Sequence, residues 1–211
     1  MAKATPPSGG KALSSSRDNV RGKLIQMGTE ILSEKGFGAA GLDELLSKAG
    51  TPKGSFYYYF PSKLDFGLAV VDNYAFIWEQ KLTRLLGDPN VRPLDRITNY
   101  LNEAIRGLKK YSFTRGCLVG NMSQEISNLD EAFRAKISKV FASWSEHIRN
   151  CLDQAKEAGE LDRTVDTQAL ADFFWMGWEG AILKAKLERS TDPIEVFRKV
   201  FFDLIFAKHR S

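Results

Sequence analysis

Apolar positions recur at three- and four-residue steps along most of the chain, and no run of four to eight residues alternates cleanly as a strand would. From Arg17 onward, Val20, Leu24, Met27, Ile31 and Leu32 share one helical face; Ser16 can cap its start and Gly36 stops it. Leu42, Leu45, Leu46 and Ala49 predict a short helix over 42–49, which Gly50-Thr51-Pro52 interrupts. A second short helix over 53–60 follows at once, its entry fixed by Pro52. Ser62-Lys63-Leu64-Asp65 has the form of a capping box and opens a long helix to about Leu86, ended by Gly87-Asp88-Pro89. Further helices are predicted over 93–111, 117–127, 130–158, 166–188 and 193–208, the last with Asp192 as cap and Pro193 in its first turn. The pattern predicts an all-α fold of about nine helices with no sheet.

Residues 1–16 break the pattern. Pro6, Pro7, Gly9, Gly10 and Ser14–Ser16 offer nothing to bury, so a disordered basic tail is expected, and Lys3 and Lys11 would let it touch phosphate. Charge adds a second division. The formal net charge is +4, and residues 1–65 hold nine basic and six acidic side chains, against 21 and 20 in the remainder. Three of the four excess charges therefore sit in the first third of the chain, which is where a nucleic-acid contact would be sought.

Other classes are excluded early. No apolar run approaches the roughly 18–20 residues of a spanning helix, and no apolar segment follows the first charge as in a secretory signal, so a cytoplasmic location and no membrane partner are expected. Two cysteines, Cys117 and Cys151, and two histidines, His147 and His209, give neither a disulfide framework nor metal-ligand spacing, and no cofactor is expected. Neither histidine is assigned a role. Cys151 falls on an apolar stripe with Phe133, Ile137, Val140, Trp144, Ile148 and Ala155 and reads as core.

The unit at 42–60 has the dimensions of a helix-turn-helix, whose second helix enters the major groove while the first crosses the backbone. Its second helix reads Lys53-Gly54-Ser55-Phe56-Tyr57-Tyr58-Tyr59-Phe60. Phe56 and Phe60, four apart, can share a buried face, leaving Lys53, Ser55, Tyr57, Tyr58 and Tyr59 on the others. A phenol can donate to a phosphate and lay its ring on sugar or a thymine methyl. Gly54 leaves room for close approach, and Lys63 stands where it can meet a phosphate. Packing between helices, with the tyrosines as an amphipathic rim, is the alternative.

Glu34–Phe37 (EKGF), Leu42–Gly50 (LDELLSKAG) and Thr51–Lys63 (TPKGSFYYYFPSK) together resemble the N-terminal DNA-binding domain of TetR-family transcriptional regulators, without a gap over about residues 17–70. The resemblance implies that Tyr57, Tyr58 and Lys63 contact phosphate and that Lys53, Ser55 and Tyr59 face the groove. Two positions depart from the family pattern. Gly41 stands where Thr or Ser often opens the second helix, so that contact would come from the backbone. Tyr59 stands where His is frequent. The family further implies a homodimeric repressor of a palindromic double-stranded operator, released by a small-molecule inducer. The expected division is a 1–16 tail, a 17–62 helix-turn-helix domain and a 63–211 helical bundle for ligand binding and dimerisation.

Two C-terminal passages sharpen this. Helices 166–188 and 193–208 carry eight aromatics, Phe173, Phe174, Trp175, Trp178, Phe197, Phe201, Phe202 and Phe206, and a four-helix dimer interface is favoured for them over intramolecular core. Gly177 and Gly180 would let another helix approach. Phe113–Glu125 (FTRGCLVGNMSQE) puts Cys117 at a helix start beside Arg115, where the helix dipole and a cation can lower a thiol pKa. With Phe173–Glu188, this passage resembles the branch of the family that regulates acrylate utilisation and N-ethylmaleimide reductase. That implies Cys117 as an electrophile sensor; a small buried hydrophobe is the alternative. Arg115, Asn121, Glu125, Trp175, Trp178, Glu179, Tyr74, Phe76 and Trp78 are candidate pocket residues. A thiol enzyme using Cys117 would need a base that is not near it in sequence, so no enzyme is expected. A helical adaptor that binds no DNA is the remaining alternative.

Overall fold

The amphipathic runs fold, among the described residues of the computed structural model, as nine helices and no strand. These are α1 (Gly10–Ala39), α2 (Leu42–Ala49), α3 (Lys53–Tyr59), α4 (Lys63–Leu86), α5 (Pro93–Lys110), α6 (Leu118–Ile126), α7 (Glu131–Glu157), α8 (Thr167–Glu188) and α9 (Asp192–Phe206). The described residues are 10–128 and 130–206, with side chains from residue 19 onward. The expected tail is corrected in part. Helix α1 begins at Gly10, so residues 10–16 are helical. Residues 1–9, the side chains of Lys11 and Ser16, and His209 lie outside the described residues, and with them the reading of a phosphate-touching arm.

Local chemistry explains the ends. Gly36 breaks α1 with φ 81° and ψ 175°, a conformation that excludes most side chains, so the last residues of α1 form a separate turn. Gly50, at φ 59°, ends α2 and makes the sharp turn into α3. Ser62 closes the capping box by accepting the Asp65 N–H at 3.0 Å. Asp130 and Asp166 cap α7 and α8 in the same way, accepting from Phe133 and Ala169.

Phe56, fully buried, joins α3 to α4. It lies 5.5 Å from Phe60 and 5.4 Å from Phe66, which are themselves 5.1 Å apart. Each such ring contributes about 1.5–3 kcal/mol on burial. This fixes the angle at which α3 leaves the body. Helices α4, α5, α7, α8 and α9 form the larger bundle, and α6 lies between α1 and α7. The buried Arg96 is satisfied at every turn: Nε donates to Val91 O at 2.7 Å, and Nη1 to Leu86 O at 3.2 Å and Gln154 Oε1 at 2.6 Å. His147 pairs with Glu79 and thereby ties α7 to α4.

The aromatic excess of α8 and α9 is distributed differently from the expectation. Phe174, Trp175, Trp178, Phe197 and Phe201 are buried within the protomer. The outward apolar face consists mainly of Met176, Leu183, Leu187, Val196, Val200 and Leu204, with Phe173 and Phe206 beside them. Gly177 admits Phe197 of the same chain, since a Cβ there would stand 2.8 Å from that ring, whereas Gly180 faces open space.

Candidate DNA-binding surface and ligand cavity

The α2–α3 pair projects a polar and aromatic face. Lys53, Gly54, Tyr57 and Tyr58 are exposed, the two tyrosines by 50% and 67%. Ser55 is half-buried. Exposing two phenols leaves apolar area in water that a sugar–phosphate backbone can cover. Lys53 has only a loose ion pair, 3.8 Å to Asp43, with both side chains well exposed. A Cβ at Gly54 or at Gly41 would meet nothing within 4 Å, so both sites are open to a partner. Gly41 caps α2 with its backbone alone, its carbonyl accepting the Leu45 N–H at 3.2 Å.

Two further expected DNA contacts, Tyr59 and Lys63, also make contacts within the chain. Tyr59 is half-buried against the core, edge-on to Tyr58 at 5.0 Å, because helical geometry turns it toward Phe60 and away from the outer face. Lys63 Nζ donates to Phe37 O at 2.8 Å and rests 4.6 Å over the Phe37 ring. Burial holds its pKa below the usual lysine value. Lys63 thus ties the α1–α2 turn to α4.

A cavity of about 270 Å³ opens in the larger bundle, near the lower end of small-molecule sites. All four tryptophans of the chain, Trp78, Trp144, Trp175 and Trp178, line it, together with Tyr74, Tyr100 and Tyr111. The Trp178 and Tyr100 rings lie 5.7 Å apart. Burial pushes the Tyr74 and Tyr100 phenols well above their usual range, so both stay neutral. The lining holds two cations and no carboxylate. Lys81 lies 4.5 Å over Trp78 and 3.4 Å from Glu103, and Arg115 lies 4.1 Å over Tyr111. Helix α1 supplies Thr29 and Ser33 to the wall, so the cavity touches the helix that carries the DNA-reading pair.

Of the expected pocket residues, Tyr74, Trp78, Arg115, Cys117, Trp175 and Trp178 line this cavity. Asn121, Glu125 and Glu179 do not, and Phe76 points outward. Asn121 Nδ2 donates to Ser33 O at 3.4 Å, and Glu125 Oε2 accepts the Gly38 N–H at 2.7 Å. Sequence reasoning missed Lys81, Tyr100, Tyr111, Trp144 and the α1 hydroxyls. Trp144 was hidden in an apolar stripe that is equally a core signal.

The chemistry of Cys117 reverses the expected direction. Burial, and then the neighbouring Glu179 carboxylate, push its thiol well above the ordinary value. Its Sγ caps α6 by accepting the Gly120 N–H at 3.4 Å, but this favours the thiolate too little to win. Arg115 does not assist, because Nε and Nη2 are committed to Glu34 at 3.0 Å and Glu30 at 3.3 Å. Glu179 is pushed up to about 7 by burial. Its Oε1 is buried without a partner, and a Cβ at Gly120 would overlap its carboxylate. Cys151 is core as expected, pushed up to about 12 by burial, with Sγ donating to Pro93 O at 3.1 Å.

Comparison with known proteins matches the geometry. Residues 24–70 match the family described as bacterial regulatory proteins, tetR family. Residues 93–201 match the tetracyclin repressor-like C-terminal domain. The chain is 43% identical over 178 residues to the transcriptional regulator AcuR of Cereibacter sphaeroides, covering 84% of this chain and 81% of that one. It is 33% identical over 179 residues to the HTH-type transcriptional repressor NemR of Escherichia coli K12, covering 84% and 89%. The crystal structure of a regulatory protein TetR from Rhodobacter sphaeroides superposes with a TM-score of 0.83 at 42% identity, covering 86% of this chain and 96% of that one.

Proposed function

We propose, for a chain that belongs to the TetR family of bacterial regulatory proteins, that it represses transcription as a homodimer on a palindromic operator and is released by a small molecule held in the cavity. That it is a DNA-binding transcriptional regulator follows from its family. Its place of work is then the cytoplasm, where the operator is; no helix among the described residues is long and apolar enough to cross a membrane.

The observation that carries the inducer is the shared wall. Thr29 and Ser33 of α1 border the same cavity as the aromatic box, so an occupant touches the helix that orients α2 and α3. Seven aromatic rings, with Lys81 already paired to Glu103 and Arg115 to Glu30 and Glu34, suit a flat conjugated or aromatic compound. The dimer is supported by the outward face of Met176, Leu183, Leu187, Val196 and Val200, which is too apolar to stand in water alone. A palindrome needs a two-fold protein. The DNA-contacting residues in this proposal are Lys53, Gly54 and Ser55 at the groove and Tyr57 and Tyr58 at phosphate, with the backbone at Gly41.

Selecting bound sequences from random duplexes tests this directly. A palindrome bound with a steep loss of affinity in salt is expected; a duplex affinity independent of salt would end the proposal. A second reading makes Cys117 a covalent sensor. The protonated, buried thiol favours the non-covalent form, in which Cys117 is cavity wall and α6 cap. Challenge of wild type and Cys117→Ser with a maleimide separates them: operator release from the wild type alone would restore the covalent reading.

A further inference from the structure

We infer that Glu125 is the positioning residue through which the state of the cavity reaches the DNA-reading helices. This rests on the reading of the cavity as the site that controls operator binding.

Glu125 stands at the last turn of α6, which is about 13 Å long. The opposite end of α6 begins at Cys117, which lines the cavity and caps the helix with its Sγ. One short helix therefore has the cavity at one end and Glu125 at the other. At that other end the carboxylate leaves its own helix and seats in the α1–α2 turn. Oε2 accepts the Gly38 N–H at 2.7 Å. The seat is made of glycine: a Cβ at Gly36 would overlap the carboxylate, and one at Gly38 would stand 3.4 Å from Oε2. Gly36 is the φ 81° break in α1, so the contact falls on the joint where the DNA-reading helices leave that helix.

The joint has a second restraint, Lys63 of α4 on Phe37 O at 2.8 Å, with the Glu125 charge close enough to favour its ammonium form. The lead-in to α6 is also tied to α1, by Gly116 N–H to Ser33 O at 3.3 Å and by Arg115 to Glu30 and Glu34. A ligand that moves Gly116 or Cys117 thus moves α6 along a helix it already grips. Glu125 carries that displacement to the turn that sets the pitch of α2 and α3. The charge-assisted bond is made across 87 residues of sequence, which loop packing alone does not require.

The test uses linkage, which is reciprocal: if the cavity biases DNA binding, DNA must bias the cavity. All four tryptophans line the cavity, so emission excited selectively at tryptophan, which leaves out the tyrosines of α3, reports on it. The probe is a labelled duplex recovered from the random pool, with anisotropy for affinity and tryptophan emission for the cavity. In the wild type, saturating duplex shifts the emission. In Glu125→Ala, affinity changes by less than about tenfold, yet the emission response falls below half. Glu125→Gln, which keeps an acceptor oxygen at the same reach, restores most of the response; Glu125→Asp, one methylene short, does not. Should Glu125→Ala fail to fold by circular dichroism, the Gln–Asp pair decides alone. A full response in Glu125→Ala, or equal responses in the Gln and Asp variants, overturns the role of Glu125 and leaves the cavity reading intact. An emission unmoved by duplex in the wild type overturns both.

Discussion

Glu179→Gln isolates the cost of holding a carboxylate beside a buried thiol. Glu179 is pushed from its ordinary 4.5 up to about 7 by burial, with Oε1 lacking both solvent and a partner. The folded protein therefore holds a proton that the unfolded chain releases between these two values. Stability is fully present below pH 4.5, falls as pH rises toward 7, and is flat above it. At about 1.4 kcal/mol per pKa unit this amounts to about 3 kcal/mol. Some solvent reaches the rest of the side chain, which reduces the expected effect to about 1–3 kcal/mol. Glutamine has the same outline and fits the seat that Gly120 leaves, but carries no charge. Urea unfolding at a single protein concentration, at pH 5, 6, 7 and 8, is the assay, since the proposed dimer would make the midpoint depend on concentration. Wild type and Glu179→Gln should nearly coincide at pH 5, and the variant should be the more stable by about 1–3 kcal/mol at pH 8. Parallel curves across this range would refute the reasoning, as would a wild type more stable at pH 8. Removing the carboxylate also removes one cause of the raised thiol value, so alkylation of Cys117 at pH 8 should quicken in the variant.

Leu187 is 82% exposed on the outward face of α8, so Leu187→Glu costs the protomer little and should shift sedimentation from dimer to monomer. An unchanged dimer would move the interface elsewhere. Lys53→Ala should weaken operator binding by about 1–3 kcal/mol and relax the sequence preference at one position of each half-site, the signature of a lost base-edge contact; an unchanged preference would remove Lys53 from the groove. Lys63→Ala should leave the slope of log affinity against log salt unchanged and instead lower the thermal midpoint, because its ammonium is held on Phe37 O and over the Phe37 ring. A lowered slope for Lys63→Ala would return it to the phosphate-contacting set.

How far the sequence reaches depends on how local the signal is. The helix ends at Gly36, Gly50 and Ser62 rest on backbone or capping chemistry that acts within four residues, and each was legible. The exposed Tyr57 and Tyr58 followed from the spacing of Phe56 and Phe60. Tertiary choices were not legible. Lys63 has the same neighbours in sequence whether it meets a phosphate or the Phe37 carbonyl, 26 residues away. Glu125 looked like a pocket residue because it is near Cys117 in sequence, but α6 carries the two to opposite ends. For Cys117, helix dipole and nearby Arg115 both argue for an acidic thiol. Arg115 turns to Glu30 and Glu34, and Glu179 arrives from α8, so burial and a like charge decide the direction instead.

Helix α8 explains why the aromatic excess was hard to divide. Trp175, Trp178 and Ile182 form one stripe that faces the cavity, while Met176, Leu183 and Leu187 form another that faces outward. A helix apolar on both sides has no polar face from which to read its orientation, so the sequence pattern alone cannot tell core from interface. The same arrangement bears on mechanism. If the outward stripe joins two protomers, the wall of each cavity is also half of the dimer contact, and an occupant pressing on Trp175 and Trp178 presses on the two-fold axis. Ligand binding then has two routes to the spacing of the reading helices, one through α8 to the partner and one through α6 to the α1–α2 turn. Only the second runs through Glu125 within a single chain, so a monomeric Leu187→Glu protein should keep the tryptophan response to a single operator half-site. Loss of that response in the monomer, with half-site binding retained, would assign the coupling to the dimer contact.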